Sequence, residues 1–221
     1  MSGYSTTRDR VEDYFDRSAT QVWERLTSDA PVSRIRQTVR EGRDRMRALM
    51  LSRLPADLRG ARVLDAGCGP GMVTAELAAR GADVVAVDIS PALIEIAQKR
   101  LPQGLAGQVS FAAGDMLSAE HGRFDHVIAM DSLIYYDQPD IVAALETLAA
   151  RTSGSVVFTV APRTPFLMAF WGMGKLFPRA DRSPVMVPHA HARLAPLVPG
   201  LTRVGRVSRG FYISECLEVR R

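Results

Sequence analysis

Three glycines alternate through the stretch VLDAGCGPG, at Gly67, Gly69 and Gly71, and Asp65 stands two residues ahead of the first. Seventeen residues after Gly71, a second apolar run, VVAVD, ends in Asp88. A glycine turn after a strand lets backbone amides come close to a ligand, because no Cβ intervenes. An acid closing the next strand is then placed to accept both hydroxyls of a ribose. This spacing predicts a nucleoside ligand.

Asp65 narrows the choice. It would repel a pyrophosphate, and the third glycine comes one residue early for a dinucleotide turn, with Met72 in its place. An ammonium and a sulfonium suit it instead, so S-adenosylmethionine is the expected cofactor and S-adenosylhomocysteine the product. Cys68, between two of the glycines, reads as a small wall residue, since sulfonium transfer needs no covalent enzyme intermediate. Ile89 beside Asp88 and Met130 after the fourth strand extend the expected donor wall. Gly114 to Met116, GDM, puts Asp115 and Met116 where the adenine amine and ring face would lie. Taken alone, Asp115 and Asp131 also read as helix caps.

The segment MDSLIYYDQPD carries the candidate catalytic residues, Tyr135 and Tyr136. Methyl transfer from a sulfonium is an in-line displacement in which positioning alone lowers the barrier by several kcal/mol, with about 7 to 11 as the upper range. An amine or alcohol acceptor also needs a base. A carboxylate, with a reference pKa near about 4.3, does not. Two phenols suit the orienting of a carboxylate better than the removal of a proton.

These residues need a scaffold. Short apolar runs at 63–64, 84–87, 109–112, 126–129 and 156–160 alternate with helical runs at 72–80, 91–101 and 139–151. Strand then helix, repeated, predicts an α/β fold with a mostly parallel sheet covered on both faces. LTRVGRVS and FYISECLEV, joined at Ser-Arg-Gly, predict a closing hairpin and about seven strands in all. The first 55 residues read as helices, with Val11, Tyr14, Phe15, Val22, Trp23 and Leu26 at helical spacing. The expected organisation is one domain, with N-terminal helices over 1–58, a donor-binding core over 59–161, a substrate-lining insertion over 162–200 and a terminal hairpin over 201–221.

At 221 residues, 47% hydrophobic and 24% charged, the composition is that of a globular chain. Two cysteines make neither a disulfide framework nor a metal-ligand spacing, and fit a reducing cytoplasm. No secretory leader is expected from the first residues, and the longest apolar patch, 166–177, falls short of the roughly 20 residues a membrane span needs. The net charge of +4 divides into +3 over 1–60, −6 over 61–160 and +7 over 161–221. The acidic middle agrees with a cationic donor, and the basic end with an anionic substrate or surface. No interleaved basic and aromatic motif points to nucleic acid.

The glycine motif resembles those of class I S-adenosylmethionine-dependent methyltransferases, with their seven-stranded Rossmann-like sheet. Across nearly the whole chain, VEDYFDRSATQVWERL, VREG, VLDAGCGPG, MDSLIYYDQPD, VAPRTPF, GKLFPRADRSP and SRGFYISECLE together resemble the magnesium-protoporphyrin IX O-methyltransferases of bacteriochlorophyll synthesis. The resemblance implies esterification of one propionate of magnesium-protoporphyrin IX, with magnesium present only as part of the substrate. It also implies delivery from the large porphyrin-binding subunit of magnesium chelatase and work at or near the photosynthetic membrane. Family members from oxygenic phototrophs have a histidine where this chain has Tyr135.

A flat, apolar, dianionic substrate calls for an aromatic wall with basic groups at its rim. Phe166, Phe170 and Trp171 are the expected wall, and Arg163, Lys175 and His189 the expected polar contacts, with Arg163 gripping the non-reacting propionate through a planar guanidinium. Tyr14 is expected over the sulfonium, and Arg40 and Gly42 near the methionine carboxylate. Two other readings stay open: a methyltransferase for another anionic acceptor such as a quinone precursor, and a donor-binding scaffold without turnover.

Overall fold

The computed structural model describes residues 2–16, 34–165, 167–168 and 185–220. Among the described residues two helices come first, α1 (Ser2–Tyr14) and α2 (Arg34–Leu51). The alternating core follows as β1 (Arg62–Ala66), α3 (Met72–Ala79), β2 (Asp83–Asp88), α4 (Pro91–Arg100), β3 (Gln108–Ala113), β4 (Phe124–Ala129), α5 (Gln138–Ala150) and β5 (Thr152–Pro162). The chain then runs through β6 (Pro188–His189), α6 (His191–Leu194), β7 (Leu201–Arg209) and β8 (Tyr212–Arg220). The predicted helix across Val22, Trp23 and Leu26 lies outside the described residues.

The continuous sheet has the order β3-β2-β1-β4-β5-β8-β7, and β6 pairs β5 off this path. β1 to β5 are parallel, whereas β8 runs antiparallel to both β5 and β7. The predicted seven strands are the seven of this path. The hairpin turns at Gly210 and Phe211, because Ser208 and Arg209 still pair with Ile213 and Tyr212. Strand order reverses between β1 and β4, where Asp65 lies opposite Ile128. In an open α/β sheet the crevice beyond that reversal is where ligands sit.

Alternation along the strands builds the two cores. Leu64, Val127 and Phe158 face one side with Leu145 and Leu148 of α5 and Val11 of α1. Their neighbours Val63, Ile128 and Val157 face the other, with Met46 and Met50 of α2, Leu77 of α3 and Ile94 of α4. Successive side chains of a strand point to opposite faces, so one apolar run serves both layers. Local signals place the helices: Ser90 accepts from the Leu93 amide at 3.3 Å with Pro91 in the first turn of α4, and Asp137 accepts from the Asp140 amide at 3.1 Å ahead of α5.

Three arginines of the final third answer two buried acids on β8. Glu215 pairs with Arg203 at 2.7 Å and Arg206 at 3.0 Å, and Glu218 with Arg220 at 2.7 Å and Arg53 at 2.9 Å. Arg53 comes from the segment just after α2, so this pairing also ties the N-terminal part to the terminal hairpin.

Candidate active site

The turn after β1 is fixed by its neighbour strand, since the amides of Gly67 and Cys68 both donate to the Val87 carbonyl, at 2.8 and 3.0 Å. Gly67, Gly69 and Gly71 all have positive φ, at 79°, 52° and 82°, a conformation side chains disfavour. Their surroundings differ. A Cβ on Gly67 would sit 2.4 Å from Cβ of Ser132, so the turn after β1 and the turn after β4 touch there. A Cβ on Gly69 would meet nothing within 4 Å. Gly71 lies at the start of α3 with Ala97 3.0 Å from where its Cβ would be; it serves packing and does not line the cavity.

Asp88 closes β2 and is anchored by the backbone, its Oδ2 accepting from the Gly69 amide at 2.8 Å and its Oδ1 from the Ser90 amide at 3.0 Å. Burial pushes its pKa up to about 6. Asp65 is buried in mid-crevice, and Oγ1 of Thr74 donates to its Oδ2 at 2.6 Å. Burial raises this carboxyl further, to about 7, and the charge of Asp88 adds to the rise. Two carboxyls destabilised as anions beside one glycine turn favour a cationic ligand, which would restore their ionised forms. Burial also raises the Cys68 thiol well above its ordinary value, which suits a wall residue rather than a nucleophile.

These groups open on a cavity of about 320 Å³. Asp65, Gly67, Cys68, Gly69, Asp88 and Ile89 form its sheet side, and Asp115, Met116, Met130, Tyr135 and Tyr136 continue the wall along the loops after β3 and β4. The opposite side comes from the helices. Tyr4, Arg8, Val11 and Phe15 line it from α1 and the residue just after it, and Arg40, Arg43 and Arg47 from α2.

Side-chain bonds tie that helical side down. Tyr4 donates to Oδ1 of Asp115 at 2.8 Å, and Arg8 to Oδ2 at 3.2 Å. The Tyr4 ring stacks on Tyr136 with centroids 4.8 Å apart, and Phe15 meets Tyr135 edge-on at 6.4 Å. Burial raises the phenol pKa of Tyr4, Tyr135 and Tyr136 above the ordinary value, so none is a base at neutral pH. On α2, Arg47 donates to Glu76 and pairs with Asp44, while Nη1 of Arg43 donates to Oδ2 of Asp131 at 2.5 Å.

Several expected residues fall elsewhere. Tyr14 packs edge-on against Phe15 at 5.2 Å and is off the cavity wall, which Phe15 lines instead. Gly42 is also off the wall: its Cα lies under the Tyr212 ring, and a Cβ would come within 2.6 Å of Cδ1. Arg163 is exposed and contributes its amide to the His189 carbonyl. His189 is buried, with Nε2 2.9 Å from the Tyr136 carbonyl, so its ring buttresses the tyrosine loop and is off the cavity wall. Phe166, Phe170, Trp171, Lys175 and Trp23 lie outside the described residues.

The sequence reading missed Tyr4, Arg8, Arg43 and Tyr212. A signal was present for the first three. Tyr4, Arg8, Val11 and Phe15 follow i, i+4, i+7, i+11, and Arg40, Arg43 and Arg47 follow i, i+3, i+7, each the stripe of one helix face.

Comparisons with known proteins agree with this geometry. The family model described as "Magnesium-protoporphyrin IX methyltransferase C-terminus" matches residues 129–221, and a "Methyltransferase domain" model matches 63–153. The magnesium-protoporphyrin O-methyltransferase of Rhodobacter capsulatus is 63% identical over 99% of each chain. That of Synechocystis is 31% identical over 96% of this chain and 95% of its own. The crystal structure of magnesium protoporphyrin IX methyltransferase from Synechocystis PCC 6803 with bound SAH superposes with a TM-score of 0.81, at 29% identity, over 97% of this chain and 99% of that one. With a sheet of the same methyltransferase class and full-length similarity of this degree, the chain belongs to the magnesium-protoporphyrin O-methyltransferase family.

Proposed function

We propose that the chain transfers the methyl group of S-adenosylmethionine to a propionate carboxylate of magnesium-protoporphyrin IX, giving the monomethyl ester in bacteriochlorophyll synthesis. The observation that carries this is the full-length relative, 63% identical, named for that reaction. The site fits the donor: Asp88 offers a carboxylate to a ribose, Asp65 an acid to an ammonium, and Gly69 an approach with nothing within 4 Å of its missing Cβ. S-adenosylmethionine supplies a methyl group on an already activated sulfur. The residues of this chain bind, align and exclude water.

A carboxylate oxygen attacks in line, forming the carbon–oxygen bond as the carbon–sulfur bond breaks with its electron pair on sulfur. No proton moves, which agrees with a cavity whose tyrosines have raised pKa values. Tyr135 and Tyr136 orient the acceptor by hydrogen bonding. Tyr135→Phe therefore keeps about a tenth or more of the turnover, and total loss in a folded, SAH-binding variant would restore a proton-transfer role.

The proposal includes delivery of the porphyrin by the large subunit of magnesium chelatase and peripheral contact with an anionic membrane. The +7 charge of residues 161–221 supports such contact. Among the described residues no helix is long and apolar enough to cross a membrane. Incubating the purified chain with labelled donor and magnesium-protoporphyrin IX, with quinone precursors in parallel, tests the reaction. No porphyrin ester from a chain that binds SAH rejects the acceptor, and no product with any acceptor leaves a scaffold.

A further inference from the structure

Asp131, the first residue after β4 and Met130, has a φ of 56°, and among the described residues it is the one non-glycine with positive φ. Such a conformation costs of order 1 kcal/mol and persists only where the surroundings impose it. Here they do. The Asp131 amide donates to Oγ1 of Thr159 at 2.7 Å, and that hydroxyl lies 3.1 Å from Oδ1 of Asp131. The Tyr212 hydroxyl lies 3.2 and 3.3 Å from the two carboxylate oxygens, and Arg43 holds Oδ2. Four elements, α2, the loop after β4, β5 and β8, thus converge on one carboxylate at the cavity wall. Asp131 and Arg43 both line the cavity, and both act electrostatically on Tyr135, Asp131 raising its phenol pKa and Arg43 opposing, after burial as the main cause. The ion pair therefore lies on the same cavity wall as the tyrosine turn, within electrostatic reach of Tyr135, as Asp88 also is.

We propose that the Arg43 guanidinium, aimed by Asp131, receives the acceptor carboxylate beside Tyr135 and presents one of its oxygens to the donor methyl, an assignment that rests on the methyl-transfer reading above. A guanidinium carries five donors in a planar fork and can bridge two carboxylates. Its pairing with Asp131 also meets a requirement of the chemistry. The reaction joins an anion and a cation into a neutral ester and a thioether, so charge vanishes toward the transition state. A bare cation beside the carboxylate would stabilise the ground state more than the transition state and slow the step. With Asp131 compensating its charge, Arg43 orients the nucleophile through directed bonds without a full net charge opposite it. Arg43 is then a substrate-binding residue and Asp131 a positioning residue.

The test uses the full chain, with SAH affinity by calorimetry and steady-state kinetics with magnesium-protoporphyrin IX. Arg43→Gln raises KM for the porphyrin about 10- to 100-fold and changes SAH affinity less than about 2-fold. Arg43→Lys, which keeps the charge and loses the fork, recovers part of the loss. Asp131→Asn lowers kcat about tenfold with KM unchanged or lower, a split that a merely structural role would not give. If Arg43→Gln fails to fold because Asp131 is left uncompensated, the double variant Arg43→Gln/Asp131→Asn removes both charges and shows the same rise in KM. An equal loss of SAH affinity would assign Arg43 to the donor and overturn the proposal. So would unchanged porphyrin KM in a variant that binds SAH normally. An unsubstituted chain that binds SAH yet esterifies no porphyrin would instead reject the methyl-transfer reading itself.

Discussion

Along the sheet side of the cavity, Gly67, Cys68 and Gly69 are fixed by backbone amides, bonded to Val87 and to the Asp88 carboxylate. On the helix side, Tyr4, Arg8 and Arg43 reach Asp115 and Asp131 only through side chains. A strand ladder fixes many dihedrals at once, whereas each side-chain bond contributes about 1 kcal/mol, or somewhat more where charged. One wall is thus set by backbone pairing, while on the other, carried by helices packed into the cores through Val11, Met46 and Met50, the cavity-facing contacts are a few replaceable side-chain bonds. Substitutions on the two walls should differ accordingly.

The largest effect is expected on the sheet side. Asp88→Ala removes the charged acceptor for the ribose and the anchor of the Gly69 amide, and should weaken SAH binding about 100-fold or more in calorimetry, with porphyrin affinity nearly intact. Equal loss of both affinities would break the assignment. Next come the glycines. Gly67→Ala must place a methyl 2.4 Å from Ser132 at a φ of 79° and should lower stability by about 2 to 4 kcal/mol, whereas Gly69→Ala meets only the cost of its φ, about 1 kcal/mol, in thermal unfolding.

The pH dependence sharpens the comparison further. The Asp88 and Asp65 carboxyls have folded pKa values of about 6 and about 7, above their unfolded value. Their contribution to the stability of the unliganded chain is therefore fully present below about pH 4 and is lost as pH rises through 6 and 7. SAH binding runs the other way, since it uses the ionised carboxylate, and should tighten about tenfold between pH 5 and 7. A flat binding profile would remove Asp88 from the site. The smallest effect belongs to the helix side: Tyr4→Phe should speed SAH dissociation by about 2- to 5-fold, and a loss as large as that of Asp88→Ala would erase the distinction between the walls.

The same division explains what the sequence made legible. The strand runs, the glycine turn, Asp65 and Asp88 are local patterns, each read within a few residues, and the structure brings all of them to the crevice between β1 and β4. The Arg43, Asp131 and Tyr212 cluster joins residues 88 and 81 positions apart, and no local pattern encodes such a meeting. Gly42 was misread for a related reason. Its lack of a side chain answers Tyr212 of the terminal hairpin, not a ligand. His189 likewise has the right chemistry for a substrate contact, yet its ring lies off the cavity wall at the Tyr136 carbonyl, and burial lowers its pKa.

The antiparallel insertion of β8 between β5 and β7 has a consequence for biosynthesis. β7 leaves the ribosome first and has no strand to pair with until the nine residues of β8 follow it. Tyr212, which opens β8, reaches Asp131 only then. The turn after β4 thus meets this partner only when the last strand is in place. Completion of the hairpin becomes the step that seats β7 in the sheet and fixes that turn.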